Sequence, residues 1–140
     1  MNEQERKVIY TARTHTVGGR DGGKAKSDDG ILEVGFSTPG THGTGTNPEQ
    51  LLAAGWSACF IGAMGVAARK LRVVLPPDAA VDAEVDLRQG ADGYSLAARL
   101  NITLPGLDRE TAQALAKAGH DICPYSKALR DSIGVMINVV

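Results

Sequence analysis

Cys59 and Cys123 are the only thiols in the sequence, and the surroundings of each define what it could do. Cys123 stands directly before Pro124 in GHDICPYSKAL. With Pro124 at the first helical position and Cys123 as the N-cap, the sulfur would face unpaired backbone N–H groups at the positive end of a helix dipole, which favours thiolate. An inert, buried cap residue fits the same pattern. Cys59 lies among Ala58, Phe60 and Ile61, and composition alone reads it as a small hydrophobe in a core. Arg20, in VGGRDGG, is an isolated cation in glycine-rich sequence, compatible with a solvated turn or with a charged group held near a site. Glu49 falls in a first helical turn, where a carboxylate complements the dipole whether or not it also aims an arginine.

Together these four residues could supply a thiol, a cation to stabilise its thiolate, a carboxylate to orient the cation, and a second thiol to trap an oxidised product. Cysteine chemistry without a base histidine points away from acyl transfer and towards redox work. A metal centre is the competing use. His120 and Cys123 have H-x-x-C spacing, and Cys59 with His15 or His42 would have to complete the site. The three histidines are scattered and no C-x-x-C knuckle exists, so neither a metal nor a cofactor is expected.

The elements that must position these residues are readable in part. KVIYTARTHTV reads as a first strand, GGRDGGKAKSDDG as a glycine-rich turn region, and ILEVGFST as a second strand in a meander with the first. After the flexible PGTHGTGTNP, Asn47 as N-cap, Pro48 at the first helical position and Gln50 in capping-box position announce a helix. Leu51 to Ala68 carry no charge, a length that touches the threshold for a membrane span. The run is rich in Gly, Ala and Ser and is bracketed by Glu49 and Arg69, so a helix buried all round in a soluble fold is expected instead. Its small residues would let a second copy of the helix approach, which predicts a homodimer.

Val81, Ala83, Val85 and Leu87 alternate with charged residues. QGADG follows, and Tyr94, Leu96, Ala98, Leu100, Ile102 and Leu104 alternate on the way back, so a long antiparallel hairpin is predicted. Asp108 can cap a helix through RETAQALAKAGHD, PYSKALRDS restarts a short one at Pro124, and IGVMINVV closes as a strand. The class is α+β, in one domain spanning residues 1–140, a chain long enough to bury its own core. Fifteen basic residues against sixteen acidic ones leave a net charge of -1, with no basic run to draw nucleic acid or a membrane surface. The charged N-terminus MNEQERKVIY is unlike a secretory signal, so the cytoplasm is expected. There a permanent disulfide is disfavoured and a transient one is not.

GGRDGG, GTNPEQLLAAGWSACF and HDICPYSKA, in that order and over almost the full chain, resemble the Ohr branch of the Ohr/OsmC family, the organic hydroperoxide resistance proteins. The resemblance implies an OsmC-like fold, with antiparallel sheets packed around a long central apolar helix in an intertwined homodimer. It implies that Cys59 is the peroxidatic residue, Cys123 the resolving one, Arg20 the catalytic arginine and Glu49 the glutamate that holds it. The implied activity is reduction of alkyl or fatty-acyl hydroperoxides to alcohols through a Cys59 sulfenic acid and a Cys59–Cys123 disulfide. A dithiol, in this family typically a lipoylated protein, would reopen the disulfide by exchange. Leu51, Leu52, Trp56, Phe60 and Ile61 are at hand to receive the alkyl group, though each also suits a core. Glu49 and Cys59 are ten residues apart, about 15 Å on a straight helix. Arg20 would therefore need either a bend, with Gly55 the favoured place, or residues from two subunits to serve both. Two rival readings remain: an osmotically induced relative with broader peroxide use, and a non-catalytic binder of lipophilic ligands with inert cysteines.

Overall fold

The structure, a computed structural model, describes residues 5–140, and the chain divides into two compact units, Met1–Pro48 and Glu49–Val140. In the first, β1 (Thr14–Val17), β2 (Lys24–Ser27) and β3 (Glu33–Gly35) form an antiparallel meander in that order. Two expectations change here. The first strand begins at Thr14 and not at Lys7; Val8, Ile9 and Tyr10 are 76%, 92% and 76% exposed and join no ladder within the chain. And KAKS, read as part of a turn, is the middle strand, with Ala25 buried between its lysines. The turn proper is shorter and sits where Gly18, Gly19 and Gly22 take φ of 78°, 71° and 93°, a region that side chains disfavour. Arg20 lies in this β1–β2 turn.

The second unit is built on α1 (Pro48–Leu71), which starts at the predicted proline and runs unbroken past both ends of the uncharged stretch. Trp56, Phe60, Ala63, Met64 and Ala67 recur at helical spacing and form its buried face. They pack with Ala98, Leu100 and Ile102 of the sheet and Ala112, Leu115 and Ala116 of α2 (Arg109–Ile122). Each fully buried leucine or isoleucine in this cluster contributes about 1.5–3 kcal/mol by leaving water. The helix is long and apolar enough to cross a membrane, yet only 33% of its apolar window is buried within the chain. The expected all-round burial is therefore absent here: Ala54, Ala58 and Gly62 form an exposed stripe of small residues.

β4 (Ala80–Gly90) and β5 (Gly93–Thr103) make the predicted hairpin, with Val81 opposite Ile102, Ala83 opposite Leu100 and Val85 opposite Ala98. The alternation written in the sequence thus becomes a single apolar face. Asp108 caps α2 as predicted, its carboxylate accepting from the Thr111 N–H at 3.0 Å. α3 (Pro124–Leu129) follows, and β6 (Gly134–Val139) returns parallel to β5. Parallel neighbours need a crossover, and α2 with α3 is that crossover. Its consequence is functional: the connection carries Cys123 back over the buried face of α1.

Candidate active site

The interior of the second unit brings the two cysteines together. Cys59 lies in the middle of α1 and Cys123 is the residue between α2 and α3, and their sulfurs are 3.4 Å apart. Both are free thiols, Cys59 half-buried and Cys123 fully buried. Cys123 adopts an extended backbone (φ -60°, ψ 122°) with Pro124 following at the helix start, as the sequence predicts, and its side chain makes no capping hydrogen bond. Its own backbone is tied on both sides. The N–H donates to the Gly119 carbonyl at 2.8 Å, and the carbonyl accepts from the Lys127 N–H at 2.9 Å.

Burial pushes the Cys59 thiol up from its ordinary pKa, and the neighbouring Cys123 sulfur reinforces the shift. The backbone N–H of Tyr125 opposes them: it donates to the Cys59 sulfur and favours its charged form. This residue was missed from the sequence although a signal was there. Proline at the first position of α3 has no N–H, so the first free amide of that helix belongs to Tyr125. Across the sulfur contact the Cys123 S–H donates to the Cys59 sulfur.

Three contacts register α3 on α1. Besides the sulfur pair, the Trp56 indole N–H donates to the Ser126 hydroxyl at 3.0 Å, with both residues fully buried. Gly55, proposed as a bend, has another use: a Cβ there would come within 2.9 Å of the Tyr125 hydroxyl. The glycine makes room for the Tyr125 ring on an unbroken helix. Close by, Leu52, Pro124, Tyr125, Ala128 and Leu129 line an open, almost wholly apolar groove of about 420 Å³.

The five residues expected to receive an alkyl group are dispersed by this geometry. Leu52 lines the groove. Trp56 and Phe60 are fully buried core residues, and Ile61 packs against that core. Leu51 is half-buried in the second turn of α1. Glu49 is in the first turn of α1, as expected. Arg20 belongs to the other unit, in a glycine turn and half-buried. Among the described residues no group of three or more histidines, cysteines or carboxylates could hold a metal ion. Cys123 and His120 therefore form no metal cluster with Cys59, and the His120 Nδ1 is buried without a hydrogen-bond partner.

Comparison with known proteins identifies the family. Residues 40–138 match the family described as OsmC-like protein. The organic hydroperoxide resistance protein of Xanthomonas axonopodis pv. citri is 42% identical over 95% of this chain and 96% of its own length. Among solved structures, the organic hydroperoxide resistance protein OhrB of Bacillus subtilis superposes with a TM-score of 0.88 at 37% identity, covering 95% of this chain and all of that one. An organic hydroperoxide resistance protein of Vibrio cholerae, solved with captopril bound in one of its active sites, gives a TM-score of 0.88 at 35% identity over 99% of this chain and 96% of its own. Fold and near full-length likeness lead to one assignment: the chain is a member of the OsmC-like family, in its organic hydroperoxide resistance branch.

Proposed function

We propose that the protein detoxifies organic hydroperoxides as a cofactor-free thiol peroxidase. The observation that carries the reading is the asymmetry of the pair: two free thiols 3.4 Å apart, of which Cys59 can meet solvent and Cys123 cannot. An external oxidant reaches Cys59 first. Its thiolate attacks one peroxide oxygen, the O–O bond breaks, and the alkoxide leaves to be protonated to the alcohol. Cys59 is left as a sulfenic acid. Cys123 then attacks that sulfur, the S–O bond breaks, and water departs as the disulfide forms. A dithiol reopens the bond by exchange, and it too must approach Cys59, the accessible sulfur. We assign that role to a lipoylated protein partner, in the cytoplasm.

The alkyl group of the peroxide needs an apolar berth near Cys59, and the groove of Leu52, Tyr125, Ala128 and Leu129 supports that use. Tyr125 contributes twice, a wall of the groove by its ring and a hydrogen bond to Cys59 by its amide. Because burial raises the Cys59 thiol, attack at neutral pH needs more than one amide. In this reading Arg20 supplies a permanent cation to the thiolate and to the departing alkoxide, and Glu49 orients it. A homodimer is part of the reading. The exposed small-residue stripe of α1 and the exposed Val8, Ile9 and Tyr10 are apolar surfaces suited to a second copy.

The test is a comparison of peroxides. Native protein with a dithiol reductant should consume cumene hydroperoxide with kcat/KM at least about tenfold above that for hydrogen peroxide, the gain coming from the alkyl group in an apolar pocket. Equal rates for both would remove the groove from the mechanism. If Cys59→Ser consumes peroxide as fast as native protein, the whole reading falls.

A further inference from the structure

Ser126 is the one fully buried polar residue among the described residues of the core, and its partner is the indole N–H of a fully buried Trp56. Alanine at position 126 and phenylalanine at position 56 would leave no polar atoms to satisfy, the phenylalanine being smaller than the indole it replaces. The hydrogen bond itself gains little net stability, and each partner is costly if the other is lost. What the pair adds is direction: it admits one registration of α3 on α1 and penalises the others.

That registration is the one the sulfurs need. Trp56 precedes Cys59 by three residues on α1, and Ser126 follows Cys123 by three at the start of α3. Residues three apart lie on one helical face. The 3.0 Å hydrogen bond and the 3.4 Å sulfur contact are therefore adjacent rungs between two segments that cross in opposite directions. Cys123 is hydrogen-bonded to Gly119 on one side and Lys127 on the other, so its backbone moves with the α2–α3 junction. α3 is only six residues long, and of the contacts that register it on α1 the Trp56–Ser126 bond is its one buried side-chain hydrogen bond among the described residues.

We propose that the Trp56–Ser126 hydrogen bond is a latch that sets the rate of the resolving step, with Ser126 as a positioning residue that touches neither peroxide nor the reacting sulfurs. The inference rests on the peroxidase reading above. To form the disulfide, the sulfurs must close from 3.4 Å to about 2.05 Å. The Cys123 thiol gives its proton to the departing hydroxyl of the Cys59 sulfenic acid, water leaves, and the two sulfurs join. The competing fate consumes a second hydroperoxide, which transfers an oxygen to the sulfenic sulfur, gives a sulfinic acid and releases a second alcohol. The latch decides between these fates, because misplacement of a reacting group by about 1 Å can cost on the order of a hundredfold in rate.

The experiment compares native protein, Ser126→Ala and Trp56→Phe/Ser126→Ala by rapid mixing with tert-butyl hydroperoxide, quenching and mass spectrometry. Ser126→Ala should form the Cys59 sulfenic acid at the native rate, close the disulfide about ten- to a hundredfold more slowly, and accumulate Cys59 sulfinic acid at peroxide excesses that leave native protein unharmed. The double variant removes the orphaned indole donor along with its acceptor. With no unsatisfied polar group left it should still resolve as slowly as Ser126→Ala, whereas a defect caused only by the orphaned indole donor would be relieved. If native protein closes the disulfide and both variants close it equally fast, with no added sulfinic acid, the latch is refuted and the peroxidase reading stands. If native protein forms no Cys59 sulfenic acid or disulfide at all, the peroxidase reading fails and takes the latch with it.

Discussion

The backbone N–H of Tyr125 donates to the sulfur of Cys59, a residue on another helix and 66 positions earlier in the chain (125 − 59). The contact exists because Pro124 withholds its own amide from the start of α3 and Gly55 withholds a side chain from the path of the Tyr125 ring. It sets Cys59 apart from an ordinary core cysteine, since it favours the charged form of that sulfur against burial and a neighbouring thiol.

The groove wall gives the first prediction. Ala128 is exposed on α3 and lines the apolar groove, so Ala128→Glu should fold normally and place a carboxylate where the alkyl group is to bind. Steady-state kinetics should show kcat/KM for cumene hydroperoxide lowered about tenfold or more, with hydrogen peroxide changed less than about twofold. A parallel loss on both substrates would place the alkyl group elsewhere.

Arg20 gives the second. Arg20→Met keeps an unbranched, flexible side chain and deletes its charge. The rate of Cys59 oxidation at neutral pH should fall roughly a hundredfold, the usual cost of one lost donor to a developing anion. If Arg20 is the cation beside the thiolate, the pH dependence should also move to higher pH. An unchanged profile, measured by stopped flow, would leave Arg20 a turn residue.

The third concerns stability against pH. The folded-state pKa of Cys59 is raised above its unfolded value. Its contribution to stability is therefore fully present below the unfolded pKa, about 8.5 for cysteine. It is lost as pH rises through the folded pKa, because the unfolded chain releases the proton more readily. Urea denaturation of reduced protein should show stability declining above about pH 8.5 more steeply than in Cys59→Ser. Matching slopes would mean that burial does not hold the thiol neutral.

Packing behind the site gives the fourth. A Cβ on Gly119 would lie 2.6 Å from Cγ of Met64 and 3.2 Å from Cε1 of Phe60, both rooted in the core face of α1. Gly119→Ala should destabilise by about 1–3 kcal/mol, the usual cost of overpacking. It should also slow disulfide closure, since Gly119 holds the Cys123 N–H. Chemical denaturation checks the first effect and quenched mass spectrometry the second.

How much of this was legible in the sequence depends on how local each signal is. The β4–β5 hairpin was readable because its period of two is sustained on both sides of the turn, and the starts of α1, α2 and α3 because capping chemistry is local. β2 was hidden because KAKS buries only Ala25, too little to register as an apolar pattern. Residues 7–13 have the composition of a strand, but composition cannot supply the neighbour that a ladder requires. The parallel return of β6 follows from the crossover and not from IGVMINVV itself. At the site, family likeness picked out both cysteines, whereas their local chemistry favoured Cys123 as the more activated thiol. Trp56–Ser126 and Gly55–Tyr125 could not be seen in advance, since each joins residues far apart in the chain whose types are ordinary on their own.

The most direct test of the account is intact-mass analysis and peptide mapping after one equivalent of tert-butyl hydroperoxide. The account predicts loss of two hydrogens and a single cross-linked peptide joining Cys59 to Cys123, reversible by dithiol. A protein that keeps both thiols free, or that gains oxygen on Cys59 without ever forming that link, would contradict it.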